Sequence, residues 1–309
     1  MGDRLVIVGI DSGGNGKGPL DPSFPCGLRL ARLLGLSQSR FLQDVDRVNL
    51  HANPAPAGTP GSAAGESDDE AAANLSPLLR GRRVIFLGRQ VAAAFGASTT
   101  WMEWDLYQRQ GWVGAVLPHP SGRSIWWDDP RNRRAAEDFM RKACLPCIHV
   151  EGVDGSGKTT LTRQLAERSG LELVPTDGPP KTHEECLGRI RRRIRPGVIC
   201  DRSSGLVSEL VYGPILRDGT IAPEPEYWNI LRILTRSVLF VYCRPPTGRL
   251  KMAFRDGEDP HHVHGVQSRY MDLAQKYDEV MARIFYEGGR VIRYDWTCQA
   301  PEEVIQCVG

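Results

Sequence analysis

Eight consecutive residues, Gly152 to Thr159, carry the clearest chemical signal in the chain. They read Gly-Val-Asp-Gly-Ser-Gly-Lys-Thr and fit the pattern G-x-x-x-x-G-K-T of a loop that wraps the phosphates of a nucleotide. A short apolar run, 147–151, precedes this loop, and a segment with helical spacing, 160–168, follows it. Glycines let backbone N–H groups approach phosphates, and the helix start adds a favourable dipole. The pattern therefore predicts a site for a nucleoside triphosphate.

Phosphate chemistry gives the members of this loop separate tasks. We expect Lys158 to bridge the β- and γ-phosphates of ATP and the Thr159 hydroxyl to ligate Mg²⁺, so ATP and Mg²⁺ are the expected cofactors. A glycine-rich turn with a purely structural role would not explain the Lys-Thr pair. The predicted nucleotide-binding residues are Gly152, Asp154, Gly155, Ser156, Gly157, Lys158, Thr159 and Thr160.

Three segments of the second half carry a family resemblance. Residues 150–160 resemble the opening of thymidylate kinases and related P-loop nucleotide kinases. Residues 200–203 resemble the Asp-Arg motif of that family, and residues 208–213 resemble its Ser-x-x-x-Tyr segment. Residues 212–217 also resemble bacteriophage P-loop kinases of modified-thymidine pathways. The resemblance implies a pyrimidine deoxynucleotide as acceptor, with Tyr212 among the residues that bind it.

Phosphoryl transfer depends mainly on positioning and on cations around the transferred group. Asp201 is placed to orient Mg²⁺ or to accept the proton of the acceptor hydroxyl, which makes Thr159 and Asp201 the predicted metal ligands. Arg202 is expected to hold an acceptor phosphate, although a strand-end ion pair with Asp201 is the alternative. Arg255, with Arg244 or Arg249, is expected to close over the γ-phosphate as an arginine clamp. The predicted catalytic residues are Lys158, Asp201, Arg202 and Arg255.

The chain departs from the thymidylate kinase pattern on the acceptor side. The stretch 174–181 has no arginine where the family places one, and Gly213-Pro214 stands where a glutamine is common. These changes predict an acceptor other than plain dTMP. The lid segment 256–264 contains three histidines, for which a surface loop is favoured over a metal site.

Both halves alternate strand and helix signals, which predicts two α/β domains, each with a largely parallel sheet flanked by helices. The predicted boundary divides the chain into 1–145 and 146–309. In such sheets, loops at the carboxyl ends of the strands carry the site. The stretch 52–69, rich in Ala, Gly, Pro and Ser, is predicted to be a mobile loop or insertion.

The first half resembles the uracil-DNA glycosylase superfamily in three segments: 9–13, 86–95 and 118–122. That resemblance implies that this half recognises a pyrimidine base or DNA. Base excision, binding without excision and a structural remnant all stay open, and binding without excision is favoured. The residues implied in this role are Asp11, Asn49, His119, Ser121 and Arg123.

Charge and composition limit the possible partners. The formal net charge is +2, with 17 Lys+Arg against 15 Asp+Glu in 1–145 and 22 against 22 in 146–309. A nucleic-acid partner therefore requires a local basic patch. The arginine-rich run 189–195 is predicted to be a solvated helix face, with phosphate contact as the alternative. No apolar run approaches a membrane span, and no signal peptide is evident, so a cytoplasmic location is expected.

The cysteines fit the same expectation. Eight are scattered along the chain, which is typical of reduced thiols. Cys144 and Cys147 form a single C-x-x-C pair, for which packing at the domain junction is favoured over metal or redox chemistry.

The fusion of the two halves suggests a function. A domain that recognises pyrimidines, joined to a kinase, predicts transfer of the γ-phosphate of ATP to 5-hydroxymethyluracil in DNA. A kinase for free dTMP or 5-hydroxymethyl-dUMP is the first alternative. An active DNA glycosylase with a regulatory P-loop domain is the second.

Overall fold

The computed structural model describes residues 4–10, 20–51, 67–121, 124–175, 178, 180–202, 205–250 and 266–307. The chain forms two compact units, Met1–Leu145 and Pro146–Gly309. Each unit contains a five-stranded sheet with helices packed around it. No helix in the described ranges is long and apolar enough to cross a membrane.

The first unit has the strand order β2-β1-β3-β5-β4, in which only β4 runs antiparallel to its neighbour. Its strands are β1 (Leu5–Gly9), β2 (Val45–Asn49), β3 (Arg83–Leu87), β4 (Asp105–Tyr107) and β5 (Trp112–Leu117). Its helices are α1 (Pro25–Leu33), α2 (Gln38–Asp44), α3 (Asp68–Leu79), α4 (Arg89–Ala94) and α5 (Pro130–Ala143), with a 3₁₀ turn at Ile125–Asp128.

Buried strands with alternating faces explain the layers of this unit. Leu5 and Ile7 point into one hydrophobic core, and Val6 and Val8 point into a second core on the opposite face. Helix α2 and strand β4 were not predicted from the sequence. Helix α2 buries only Phe41, so its sequence shows no apolar periodicity, and β4 is only three residues long.

The predicted mobile loop falls mostly outside the described residues, which resume at Ser67. There Ser67 begins α3 with a capping box, in which its hydroxyl accepts from the Glu70 N–H and its own N–H donates to the Glu70 carboxylate. The end of the predicted loop, Asp68 and Asp69, is therefore the first turn of a helix.

The second unit has the strand order β10-β9-β6-β8-β7, and all its pairings are parallel. Its strands are β6 (Ile148–Glu151), β7 (Glu172–Val174), β8 (Val198–Asp201), β9 (Leu239–Cys243) and β10 (Arg290–Tyr294). Its helices are α6 (Lys158–Ser169), α7 (His183–Arg193), α8 (Leu206–Leu216), α9 (Glu224–Leu234), α10 (Thr247–Leu250), α11 (Tyr270–Tyr286) and α12 (Pro301–Gln306). Strand β6 is central, so the loop that leaves it emerges in the middle of the carboxyl edge.

The arginine-rich run does not form a uniformly solvated helix face, and that prediction was wrong for two of its members. Arg189 and Arg193 are buried in α7, with 8% and 1% of their surface exposed, on the side of Ile190. Arg191 and Arg192 are exposed. Helical spacing places residues four apart on one face, so the run divides between the interior and solvent.

Gly213, one of the departures from the kinase pattern, has a structural explanation. It lies in α8, and a Cβ there would stand 2.7 Å from the carbonyl oxygen of Gly219, because the chain folds back over the helix. Gly188, inside α7, would place a Cβ in open space. One helical glycine is therefore required by a close backbone contact, and the other is not.

We expect Gly213→Ala to lower the free energy of unfolding by about 1–3 kcal/mol, because the added methyl group overpacks a backbone contact. Gly188→Ala is the matched control and is expected to raise that free energy by about 0.5–1 kcal/mol, as alanine favours a helix. Urea unfolding of the full chain measures both changes. Equal effects of the two substitutions would contradict the packing account.

Candidate functional site

The phosphate-binding loop joins the central strand β6 to α6. Three of its glycines, Gly152, Gly155 and Gly157, have φ angles of +144°, +77° and +88°. A Cβ on Gly152 would also lie 2.5 Å from the carbonyl oxygen of Cys243. A side chain is therefore strained at both glycines that the pattern predicts, Gly152 and Gly157, and also at Gly155 between them.

Lys158 is buried at the start of α6, with 4% of its surface exposed. Its Nζ donates to the Val153 carbonyl oxygen at 2.7 Å and lies 3.7 Å from Asp154 Oδ1. Burial and the charge of Arg202 lower the pKa of Lys158, while Asp154 and Asp201 oppose that shift. A cation held in a poorly solvated site attracts phosphate more strongly than one in water.

Thr159 and Asp201 meet at the carboxyl edge of the sheet. Strand β8 is the parallel neighbour of β6, and the Thr159 hydroxyl donates to Asp201 Oδ2. Oxygen donors of this kind suit Mg²⁺, which protein sites hold through one or two carboxylates together with substrate phosphates. No group of three or more His, Cys, Asp or Glu residues that could hold a metal occurs in the described ranges. A magnesium ion here would depend on these two side chains and on phosphate oxygens.

Arg202 pairs with the loop more closely than with its neighbour in sequence. Its Nη2 lies 2.8 Å from Asp154 Oδ1, whereas its Nε is 3.8 Å from Asp201 Oδ1. The backbone of Arg202 is left-handed, with φ at +71°, a conformation that costs a non-glycine residue energy and persists only when its surroundings hold it. Here its N–H donates to the Val150 carbonyl oxygen at 2.9 Å.

Tyr212, which comes from α8, lies behind the loop. The backbone N–H of Asp154 donates to its hydroxyl at 3.0 Å, and its ring packs edge-on to Tyr277 at 6.0 Å. Burial, followed by the charge of Asp154, raises the pKa of Tyr212 well above its ordinary value. Tyr212 therefore stays neutral and supports the loop through Asp154.

Arg193 is a positioning residue that the sequence analysis missed. It donates to the carbonyl oxygens of Arg202 at 3.1 Å and Pro175 at 2.6 Å, and so ties the ends of β7 and β8 together. Only its helical spacing from Arg189 could have indicated burial. Two further neighbours of the loop were also missed: Glu151, fully buried at the end of β6, and Trp296, whose ring would meet a Cβ on Gly157 at 3.0 Å.

The predicted arginine clamp is only partly described. Arg255 and the histidine-rich segment lie outside the described residues, and Arg249 is exposed in α10. Arg244 binds Asp278 of α11 through Nε at 3.1 Å and Nη2 at 3.0 Å. The Tyr242 hydroxyl donates to the same carboxylate at 2.7 Å. Arg244 thus links β9 to α11.

In the first unit, Asn49 is placed at the carboxyl end of β2, and its side chain is fully buried. Within the described residues neither its Oδ1 nor its Nδ2 has a hydrogen-bond partner. A Cβ on Gly9, at the end of the neighbouring β1, would lie 3.1 Å from Asn49 Oδ1. A buried amide costs free energy until it is hydrogen-bonded, so it is a suitable group for reading a base edge.

His119 follows β5 at the same edge of the sheet. Its Nδ1 accepts from the Ser121 N–H at 3.3 Å, and its carbonyl oxygen accepts from Trp127 Nε1 at 2.8 Å, so the turn that carries it is fixed. Strands β2 and β5 are three positions apart, roughly 14 Å, so the backbones of Asn49 and His119 lie apart rather than side by side. Asp11 and Arg123 lie outside the described residues.

His149 supports the second unit from inside β6. Its Nε2 donates to the Arg193 carbonyl oxygen at 3.0 Å, and its ring packs edge-on to Phe240. The Cys147 thiol donates to the same carbonyl oxygen at 3.1 Å, which is the packing role expected of this cysteine. Burial lowers the pKa of His149 from 6.5 to about 4.

This shift predicts acid sensitivity. Between pH 6.5 and about 4 the unfolded chain binds a proton at His149 that the folded chain does not, so stability falls as pH falls. The expected slope is about 1.4 kcal/mol per pH unit for one proton. We expect His149→Gln to remove that slope from unfolding measurements made across this pH range. A slope identical to that of the unaltered protein would contradict the prediction, whatever the substitution does to overall stability.

No known protein family and no curated protein matches this sequence. Several solved structures resemble it. The alignment with the Bacillus subtilis YorR protein in complex with phosphorylated GDP covers 52% of this chain and 92% of the YorR chain, with 20% identity and a TM-score of 0.42. The alignment with thymidylate kinase from Candida albicans covers 53% of this chain and 88% of the kinase chain, with 15% identity and a TM-score of 0.35. The alignment with the NadR protein in complex with NR covers 99% of this chain and 96% of the NadR chain, with 14% identity and a TM-score of 0.39.

Proposed function

We propose that this protein is an ATP-dependent kinase that transfers the γ-phosphate to a hydroxyl group of a pyrimidine deoxynucleotide. The acceptor we propose is 5-hydroxymethyluracil in DNA, with the first unit recognising the base or the DNA. The observation that carries the kinase part is the cluster at the end of β6. There Lys158, Thr159 and Asp201 surround one loop, and Arg202 pairs with Asp154 of that loop.

The contacts of the cluster suggest a task for each side chain. In the reaction, the acceptor hydroxyl loses its proton to water and its oxygen bonds to the γ-phosphorus, while the bond from that phosphorus to the β,γ-bridging oxygen breaks and ADP leaves. Lys158 neutralises charge on the β- and γ-phosphates. The contact between Asp201 and the Thr159 hydroxyl favours Mg²⁺ orientation over proton removal as the role of this carboxylate. To Arg202, which is partly exposed and pairs with Asp154 of the loop, we assign the binding of an acceptor phosphate.

The acceptor proposal rests on the first unit. Its buried Asn49 amide, which has no hydrogen-bond partner among the described residues, and the turn at His119 and Ser121 lie at the carboxyl edge of one sheet. The strand order changes direction between β1 and β3, where a crevice for ligands forms in sheets of this kind. Both residues flank that crevice, which supports recognition of a base extruded from DNA.

The direct test of this function is phosphate transfer from γ-labelled ATP with Mg²⁺. Three acceptors are offered in parallel: dTMP, 5-hydroxymethyl-dUMP and duplex DNA that contains 5-hydroxymethyluracil. Label in the DNA is the expected result. Label in a free nucleotide only would replace the proposal with a nucleotide kinase. The near-neutral charge of both halves, 17 against 15 and 22 against 22, is the observation that favours this second candidate.

We expect Lys158→Ala to reduce transfer to any acceptor by about 10²–10³, the range seen when one group that stabilises developing charge is removed. Lys276→Ala, which removes a partly exposed lysine of α11 paired with Glu279, is the matched control and is expected to keep full activity. The measurement is the initial rate of label transfer at saturating ATP. A Lys158→Ala protein with more than a tenth of normal activity would contradict the assigned role.

We expect His119→Ala to weaken binding to DNA that contains 5-hydroxymethyluracil by several-fold, as for the loss of a hydrogen bond worth about 1 kcal/mol. Binding of ATP is expected to stay unchanged, because His119 belongs to the other unit. Fluorescence anisotropy with labelled DNA and calorimetry with ATP measure the two affinities. Unchanged DNA affinity would count against the role of the first unit.

A further inference from the structure

A cavity of about 280 Å³ opens in the first unit beside the His119–Ser121 turn. Helices α1 and α5 and the 3₁₀ turn provide its walls. The charged and aromatic groups that line it are Arg29, Arg32, Arg133, Asp128, Glu137 and Trp127. None of these residues belongs to the base-recognition set proposed above.

The five charged groups of the cavity are not arranged as ion pairs. Within the described part of the chain, no salt bridge joins its three arginines to its two carboxylates or to other residues. The Arg29 guanidinium lies over the Trp127 ring, 5.6 Å from its centre, and its Nη1 is 3.5 Å from the Ser121 carbonyl oxygen. Arginines that form no salt bridge with a carboxylate keep N–H donors available for an anion.

The charge balance indicates which anion fits. Three guanidinium groups against two carboxylates leave one net positive charge around the cavity. A phosphodiester carries one negative charge, so it neutralises this site. The size supports the same choice, because about 280 Å³ falls just below the roughly 300–1,000 Å³ of pockets that enclose a whole ligand. A phosphate group with part of its sugar fits better than a complete nucleotide.

The cavity is connected to the predicted base-reading turn through one side chain. Trp127 is 5% exposed, forms one wall and donates from Nε1 to the His119 carbonyl oxygen at 2.8 Å. Leu33, another lining residue, packs with Trp127 in the same hydrophobic core. An anion in the cavity would therefore stand at a fixed position relative to His119.

We infer that this cavity binds a backbone phosphodiester of the nucleic-acid strand whose base is presented to His119. The inference rests on the proposed recognition of DNA by the first unit, and it names the contact that fixes the strand. A local group of arginines can hold a phosphate even though this half of the chain has little net charge, so DNA binding does not require a strongly basic surface.

The test is the salt dependence of DNA binding by the full-length protein. The variant is Arg32→Gln with Arg133→Gln, and fluorescence anisotropy with a labelled duplex gives its affinity at several salt concentrations. The loss of one phosphate contact is expected to weaken binding to all sequences and to reduce the slope of log K against log salt by about 0.9. The matched control is Arg131→Gln with Arg134→Gln, which removes the same charge from exposed positions of α5 that do not line the cavity.

Three results would overturn the inference. One is an unchanged slope in the Arg32/Arg133 variant, another is an equal loss of slope in the control, and the third is the absence of DNA binding by the unaltered protein. Thermal unfolding in the presence of dTMP distinguishes a phosphate of the DNA backbone from the phosphate of a free nucleotide. If dTMP stabilises the unaltered protein against heat but not the Arg32/Arg133 variant, and DNA binding is the same in both, the cavity takes a free nucleotide phosphate instead.

Phosphate transfer to DNA is measured with the same two proteins, so that a failure of the cavity assignment can be told apart from a failure of the proposed function. If the unaltered protein labels DNA while the slope of the variant is unchanged, the kinase proposal stands and the cavity assignment fails. If no DNA is labelled but the slope falls by about 0.9, the cavity assignment stands and the proposed acceptor fails.

Discussion

The geometry of the loop in the second unit depends on Asp154, which contacts groups from three other parts of that unit. Its N–H donates to the Tyr212 hydroxyl from α8, and its carboxylate binds Arg202 after β8. The same carboxylate lies 3.7 Å from the Lys158 ammonium. A loop with three left-handed glycines has little conformational preference of its own, so these contacts supply the order that the backbone lacks. Lys158, the predicted phosphate-binding lysine, is thereby held in place.

A second set of contacts, behind the sheet edge, maintains the first. Arg193 binds the carbonyl oxygen of Arg202, whose left-handed backbone presents its guanidinium to Asp154. His149 in turn binds the carbonyl oxygen of Arg193 from within the central strand. Each of these contacts positions the next group, although His149 Nδ1 and Arg202 Nε have no hydrogen-bond partner among the described residues. The residues at the sheet edge thus depend on polar contacts that lie behind them.

The two units share one architectural constraint. In both, parallel strands bring loops to one edge of the sheet, which is where sheets of this kind bind ligands. The second unit has a buried lysine, a hydroxyl group and a carboxylate at that edge, which are groups that suit phosphate and Mg²⁺. The first unit offers a buried amide and a fixed turn instead, with arginines in an adjoining cavity. The difference in chemistry, rather than in architecture, supports different ligands for the two units.

The sequence by itself determined the α/β class of both halves, most of their strands and helices, and the phosphate-binding loop. Those features depend on local periodicity and on glycine spacing, which a sequence displays directly. Helix α2 and strand β4 were missed because they bury too little to show a period. Only the tertiary structure decided which of the clustered arginines are interior, because Arg191 and Arg193 differ in their surroundings and not in their chemistry. It alone paired Arg202 with Asp154, and it alone gathered Arg29, Arg32 and Arg133 around one cavity, since contacts between residues far apart in sequence arise only when the elements pack.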